Sequence, residues 1–272
     1  MKNLNGKIAI VTGASRGIGV HIINSLTEKG VNVIGIARNK EGLVNTKEIV
    51  KSNLGNFEYL QFDLSETSKL YNLTNQLMDK EIDYLVNNAG IEIYRSFEDY
   101  KLDDIQKIVN VNLLGPMELT RLLIPKIKAN KGNIVNIASL AGKKGVIYNG
   151  IYSSTKAGLI LWSDALDQEL KEFEVGVTAI CPGYIADTGM FKDGGYAPPA
   201  LLGESAPQLV GKAVIDAITK GKKEIIVNSG PIRPLLAIGQ IFPRVSDVII
   251  KWFGVPELCR KRAFESKGGN RT

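Results

Sequence analysis

The sequence predicts an α/β fold, a doubly wound parallel sheet of seven strands with helices on both faces. Three observations predict it. Short β-branched runs alternate with longer amphipathic stretches, a glycine cluster directly follows the first run, and 272 residues suit one large α/β domain better than two small ones.

In order, the strand-length runs are KIAIVT from Lys7, VNVIGIA from Val31, FEYLQFD from Phe57, IDYLVN from Ile82, GNIVNIAS from Gly132 and VGVTAICP from Val175. Between them lie helix-length segments, the longest from about Leu102 to Asn130. A helix from about Ala206 to Lys220 and a strand EIIVNS from Glu224 complete seven strands. Right-handed crossovers bring the carboxyl ends of all strands to one edge, where a ligand is expected. Residues 189–202 are rich in Gly, Pro and apolar side chains and read as a lid over that edge. The chain thus divides into an α/β domain, residues 1–230, and an extension, residues 231–272.

Apolar residues recur at helical spacing from Leu235 to Phe253 of that extension. Pro234 and Pro243 are expected to start two short helices, and Gly254 with Pro256 to end the second. Residues 233–272 hold eight basic and three acidic residues, leaving +5 of the chain's net +6. The stripe followed by Arg260-Lys261-Arg262 has the composition of a peripheral anchor for anionic membrane. Packing on the body or on a second subunit, or forming a wall of the substrate pocket, are the other readings.

Composition excludes several function classes. The single histidine, His21, rules out sites needing two imidazoles, and no metal site is expected. It has no neighbouring acid or nucleophile motif, which argues against Ser-His-Asp chemistry. Cys181 and Cys259 are too few for a disulfide framework, so a reducing, cytoplasmic setting is expected. The amino-terminal apolar run is too short for a signal core, and no stretch reaches the roughly 18 apolar residues of a spanning helix. The basic residues lack aromatic interleaving, so no nucleic-acid partner is expected despite a pI of about 9.1.

The chemistry-bearing residues follow the strands. Gly13, Ser15, Arg16, Gly17, Ile18 and Gly19 form a loop that opens a helix, where free N–H groups and the helix dipole favour a pyrophosphate. After the second strand no acid is available for a ribose 2′-hydroxyl. Instead Arg38 stands 19 residues past Gly19, and with Arg16 it favours the 2′-phosphate of NADP(H). Asp63 and Leu64 close the third strand, and the Asp63 carboxylate suits either an adenine amino group or a helix cap. Ser139 ends the fifth strand, and 13 residues later comes Tyr152-Ser-Ser-Thr-Lys156, whose phenol and ammonium share one helix face. A close cation is expected to stabilise phenolate and lower the tyrosine pKa.

Together these motifs resemble the short-chain dehydrogenase/reductase family, with its TGxxxGxG and YxxxK signatures, continuously from about Lys7 to Thr188. The resemblance implies a Rossmann-type fold, with Tyr152 as acid/base, Lys156 holding the nicotinamide ribose, and Ser139 orienting the carbonyl. It also implies that Asn112 distorts its helix to hold a water in a proton relay, and that Asn88, Ala89 and Gly90 border the cofactor ribose. Pro182 and Gly183 after the sixth strand would belong to the cofactor site, and Ile185 and Thr188 would meet the carboxamide. One departure is that Asp187 stands where the family commonly has Thr, and Thr188 follows it.

The loops after the fourth to sixth strands carry Ile91, Ile93, Tyr94, Leu140, Ile147, Tyr148, Tyr184, Met190 and Phe191, favouring a hydrophobic ketone or aldehyde, or the matching alcohol. Lys143 and Lys144 are candidates for a phosphate or carboxylate on the substrate. The leading reading is an NADPH-dependent carbonyl reductase; the alternatives are a 3-oxoacyl-thioester reductase of lipid synthesis and a non-catalytic, membrane-attached NADPH-binding scaffold. The resemblance adds a homodimer or homotetramer, formed through the long helix and the Tyr152 helix.

Overall fold

The computed structural model describes residues 3–186, 188, 203–230 and 232–265. Seven parallel strands run in the order β3-β2-β1-β4-β5-β6-β7: β1 (Ile8–Thr12), β2 (Asn32–Ala37), β3 (Phe57–Gln61), β4 (Tyr84–Asn87), β5 (Asn133–Ile137), β6 (Gly176–Pro182) and β7 (Glu224–Val227). The expected architecture is present. The central strands carry continuous apolar runs because both sheet faces are covered, and β5 is buried along its whole length. β1 pairs with β2 on one side and β4 on the other, so the winding reverses there and a crevice opens at the carboxyl ends.

Alternate residues of each strand feed two cores. Ala9 and Val11 point to helices α1 (Ile18–Thr27) and α2 (Lys40–Val50) and to α7 (Gln208–Lys220), whereas Ile10 faces the opposite layer. That layer contains α3 (Leu70–Asn75), α5 (Gly115–Ala129) and α6 (Gly150–Leu170). Gly211 allows α7 to lie close on α1, since a Cβ there would sit 2.7 Å from the His21 carbonyl oxygen.

The predicted long helix is three pieces: α4 (Leu102–Val109), a π-helical turn (Asn110–Leu114) and α5. Pro116 lacks the N–H that an α-helix would direct at the Asn112 carbonyl, so the regular ladder is already interrupted at this point.

The extension forms α8 (Ile232–Ile241), α9 (Pro243–Trp252) and α10 (Val255–Phe264). Pro243 starts α9 as expected, whereas Pro234 lies inside the first turn of α8. Gly254 ends α9 alone, with φ of 72°, and Pro256 sits in the first turn of the unforeseen α10, where its missing N–H costs no helical bond. Among the described residues no helix is long and apolar enough to cross a membrane. The lid expected over 189–202, with Met190 and Phe191, and Asp187 lie outside the described residues.

Candidate active site

The turn after β1 is closely packed and depends on its glycines. Gly17 caps α1 at φ of 62°, a conformation that side chains resist, and a Cβ on Gly19 would stand 2.1 Å from the Gly13 carbonyl oxygen. Across the crevice Asn88 Nδ2 donates to the Thr12 carbonyl at 2.9 Å, and Thr12 Oγ1 accepts from the Asn88 and Ala89 amides at 3.0 Å each. β1 and β4 are thereby held together at the cofactor edge. Ser15, Arg16, Ile18, Arg38, Leu64 and Gly90 line the same cleft.

Arg38 reaches Asp63 at 3.5 Å, with both side chains part-exposed. Desolvation acts to raise the Asp63 pKa, but hydrogen bonds from the Ser65 amide and hydroxyl, together with Arg38, hold it below the usual carboxylate value. Asp63 therefore caps its own turn, and its second oxygen faces Arg38. Pro182, Gly183, Ile185 and Thr188 also border the cleft, and Ile185 forms a parallel bridge with Ser205.

Ser139, Tyr152 and Lys156 all line this cleft of about 1550 Å³. Ser139 Oγ accepts from the Ala141 amide at 3.1 Å, and its hydroxyl acts to lower the Tyr152 phenol pKa. Lys156 Nζ donates to the Ile137 carbonyl at 2.8 Å and lies 5.7 Å from the Tyr152 ring centre. A Cβ on Gly90 would fall 3.4 Å from Lys156 Nζ and 3.5 Å from Asn112 Oδ1, so Gly90 borders both. Asn112 is fully buried and clamps the Ile91 backbone, accepting from its amide at 2.8 Å and donating to its carbonyl at 2.9 Å. Its amide also donates to Thr155 Oγ1 at 3.2 Å, tying the π turn to the Tyr152 helix.

The electrostatics depart from the simple expectation that Lys156 lowers the tyrosine. Burial and then the negative charge of Glu92 push the Tyr152 phenol up, and the Ser139 hydrogen bond and Arg262 only partly oppose them. Burial brings Lys156 down to about 8. At neutral pH the phenol is protonated and stands ready as a proton donor.

The far wall of the cleft comes from the extension. Leu235, Leu236, Ile249, Ile250 and Phe253 line it together with Ile91, Ile93, Leu140 and Ile147. Tyr148, read as substrate-facing, instead packs edge-on against Phe264, with centroids 5.2 Å apart. Arg262 turns inward, pairs with Glu92, donates to Tyr94 Oη at 3.0 Å and lies 4.0 Å over the Tyr94 ring. It is thus no part of a surface basic cluster. Lys143 pairs with Glu224, and Lys144 with Asp247 on α9 at 2.6 Å, so both ammonium groups are engaged by the protein's own carboxylates.

A family model described as short chain dehydrogenase matches residues 7–196. The chain belongs to the short-chain dehydrogenase/reductase family. Among its relatives, the ketoacyl reductase HetN of Nostoc sp. is 46% identical over 271 residues, covering 97% of this chain and 94% of HetN. That match runs through the C-terminal helices. The 11-beta-hydroxysteroid dehydrogenase-like protein 4A of Arabidopsis thaliana is 33% identical over 258 residues, covering 90% of this chain and 83% of its own. A crystal structure of a metagenomic short-chain oxidoreductase in complex with NADP superposes with a TM-score of 0.71 at 29% identity, over 83% of this chain and 98% of that one.

Two cleft residues of this short-chain dehydrogenase/reductase escaped the sequence reading: Glu92 and Arg262. Glu92 follows Ile91 in a loop that read as apolar, and Arg262 lay in an apparent surface run. The alternation of buried Cys259 and Arg262 with exposed Arg260 and Lys261 on α10 was the available signal, since spacing of three marks one helix face.

Proposed function

We propose that this short-chain dehydrogenase/reductase uses NADP(H) to reduce apolar ketones, with 3-oxoacyl chains as the substrate class of best fit. One observation carries the reading: Ser139, Tyr152 and Lys156 line one cleft together with the glycine turn and the apolar residues of the C-terminal helices. The printed name of HetN, a ketoacyl reductase, supports the substrate class, and the NADP complex of the metagenomic relative supports the cofactor.

The residues present fit that cofactor. Crowding at Gly13 and Gly19 excludes any side chain there and keeps the turn tight, and Arg16 and Arg38 border the same cleft as cations for a 2′-phosphate, Arg38 being shared with Asp63. When bound, the dinucleotide supplies the hydride. Ser139 holds the substrate oxygen, Tyr152 gives it a proton, and Lys156, fixed by the Ile137 carbonyl, orients the ribose. Asn112 keeps the loop after β4 and the Tyr152 helix in register for that transfer.

A carrier phosphate held by Lys143 and Lys144 is no part of this reading, because both are paired internally. A binding-only scaffold would have no use for a buried Tyr152 beside Ser139. Exposed Leu114 and Leu161 lie where the long helix and α6 would form a homodimer interface. Two free, buried thiols fit a reducing, cytoplasmic setting.

The test is oxidation of NADPH and NADH by the purified chain against acetone-sized ketones, aldehydes and 3-oxoacyl thioesters of graded length. NADPH-dependent turnover that rises with chain length supports the proposal. Equal rates on the smallest and longest ketones, or preference for NADH, would refute the apolar-substrate or cofactor assignment respectively.

A further inference from the structure

Helices α8 and α9 are apolar on two opposite sides. Their inner residues line the cleft, while Ile238, Ile241, Phe242, Val245, Val248 and Trp252 face outward, with Ile241, Val248 and Trp252 exposed by 70%, 69% and 77%. Scattered apolar residues on a surface are ordinary, but five on one pair of helices and a sixth, Phe242, in the link between them form a patch of the kind that marks an interaction site.

The pair is a fixed element. A Cβ on Gly239 would lie 2.8 Å from Ser246 Oγ, so the helices touch closely there. Gln240 Nε2 donates to the Lys143 carbonyl at 3.1 Å and Asp247 binds Lys144 at 2.6 Å, fastening both helices to the loop after β5. The outward face therefore meets any partner as one preformed surface.

Charge decides what that partner is. Arg233, Arg244 and Lys251 are exposed among the apolar residues, and the one acid on the two helices, Asp247, is bound to Lys144. A second copy meeting this face symmetrically would bring two patches of net positive charge together, whereas an anionic lipid surface neutralises them. Each helix is ten residues, about 15 Å, half the hydrocarbon thickness, so it lies in the interface and does not cross it.

We propose that the outer face of α8 and α9 docks on anionic lipid bilayers. Ile241, Phe242, Val248 and Trp252 enter the acyl boundary, and Arg233, Arg244 and Lys251 contact headgroup phosphates. Docking places the roof of the cleft against the membrane, where apolar ketones partition. The binding claim does not depend on the reductase reading.

The experiment is co-sedimentation of the full chain with vesicles of phosphatidylcholine alone and of equimolar phosphatidylcholine and phosphatidylserine. The wild type is expected to pellet with the anionic vesicles and to release with added salt. Ile241→Ser/Phe242→Ser/Trp252→Ser, at exposed positions, should bind at least about tenfold more weakly. Arg233→Gln/Arg244→Gln/Lys251→Gln should lose about fivefold per cation, with circular dichroism confirming that both variants are folded. The proposal is overturned if the wild type stays in the supernatant with both vesicles, or if the apolar variant pellets like the wild type. It is also overturned if sedimentation velocity shows self-association that the apolar variant abolishes, which makes a second copy the occupant.

Discussion

Replacing Arg262 by Met while Glu92 stays in place isolates what the C-terminal helix α10 contributes to the active site. The paired side chains are only 9% and 13% exposed, and Arg262 also bonds and stacks on Tyr94. Removing one member of a buried pair costs about 3–5 kcal/mol, because the remaining charge keeps its desolvation penalty without its partner. Here α10 can relieve the cost by undocking, so the loss falls on a local equilibrium. At the lower figure the undocked population rises about 150-fold. Amide hydrogen exchange across Leu258–Phe264 reads this directly, and KM for an apolar ketone reads the loosened wall. Exchange and KM should both rise in Arg262→Met, with little change in the melting of the sheet. Arg262→Met/Glu92→Met should recover most of the protection, since an apolar pair of similar volume leaves no buried charge. If the single variant exchanges no faster than the double, the pair is not the latch and this reasoning fails.

Four further outcomes follow from the site. Tyr152→Phe should lower kcat by about 10²–10⁴ while NADPH binding by calorimetry stays unchanged, as expected for loss of a proton donor alone. Arg38→Ala should weaken NADPH about ten- to hundredfold and leave NADH nearly unaffected, the value of a charge-assisted phosphate contact. Gly19→Ala should abolish dinucleotide binding, because its Cβ would lie 2.1 Å from the Gly13 oxygen. Lys156 is held at about 8, below its ordinary 10.5, so its folded form resists protonation. Unfolding free energy should therefore gain up to about 1.4 kcal/mol per pH unit from about pH 8 to 10 relative to Lys156→Met, a gain that urea titrations would show. Tyr152 shifts the opposite way and costs stability only once the unfolded phenol ionises, above about pH 10.

Much of this was legible in the residue order. β1 begins one residue inside KIAIVT and β5 one inside GNIVNIAS, because a run buried on both faces has no polar alternation to blur it. The glycine turn and the Tyr152–Lys156 spacing also carry over directly, since both act through local backbone geometry. Tertiary charge contacts were not legible. Lys143 and Lys144 read as an entrance pair until Glu224 and Asp247, 81 and 103 residues away, proved to be their partners. The phenol read as lowered by Lys156 because spacing shows proximity and not burial, and burial is the larger influence. Pro256 read as a stop signal because Pro terminates one helix and begins another with equal ease.

The most direct test of the central claim mixes the chain and stoichiometric NADPH with a medium-chain 3-oxoacyl thioester and follows the reduced-nicotinamide absorbance through a single turnover. The account predicts complete loss of that absorbance with one alcohol formed per dinucleotide, and its near-abolition in Tyr152→Phe at unchanged NADPH affinity. NADPH that binds tightly yet is never consumed, or consumption that ignores Tyr152→Phe, would contradict it.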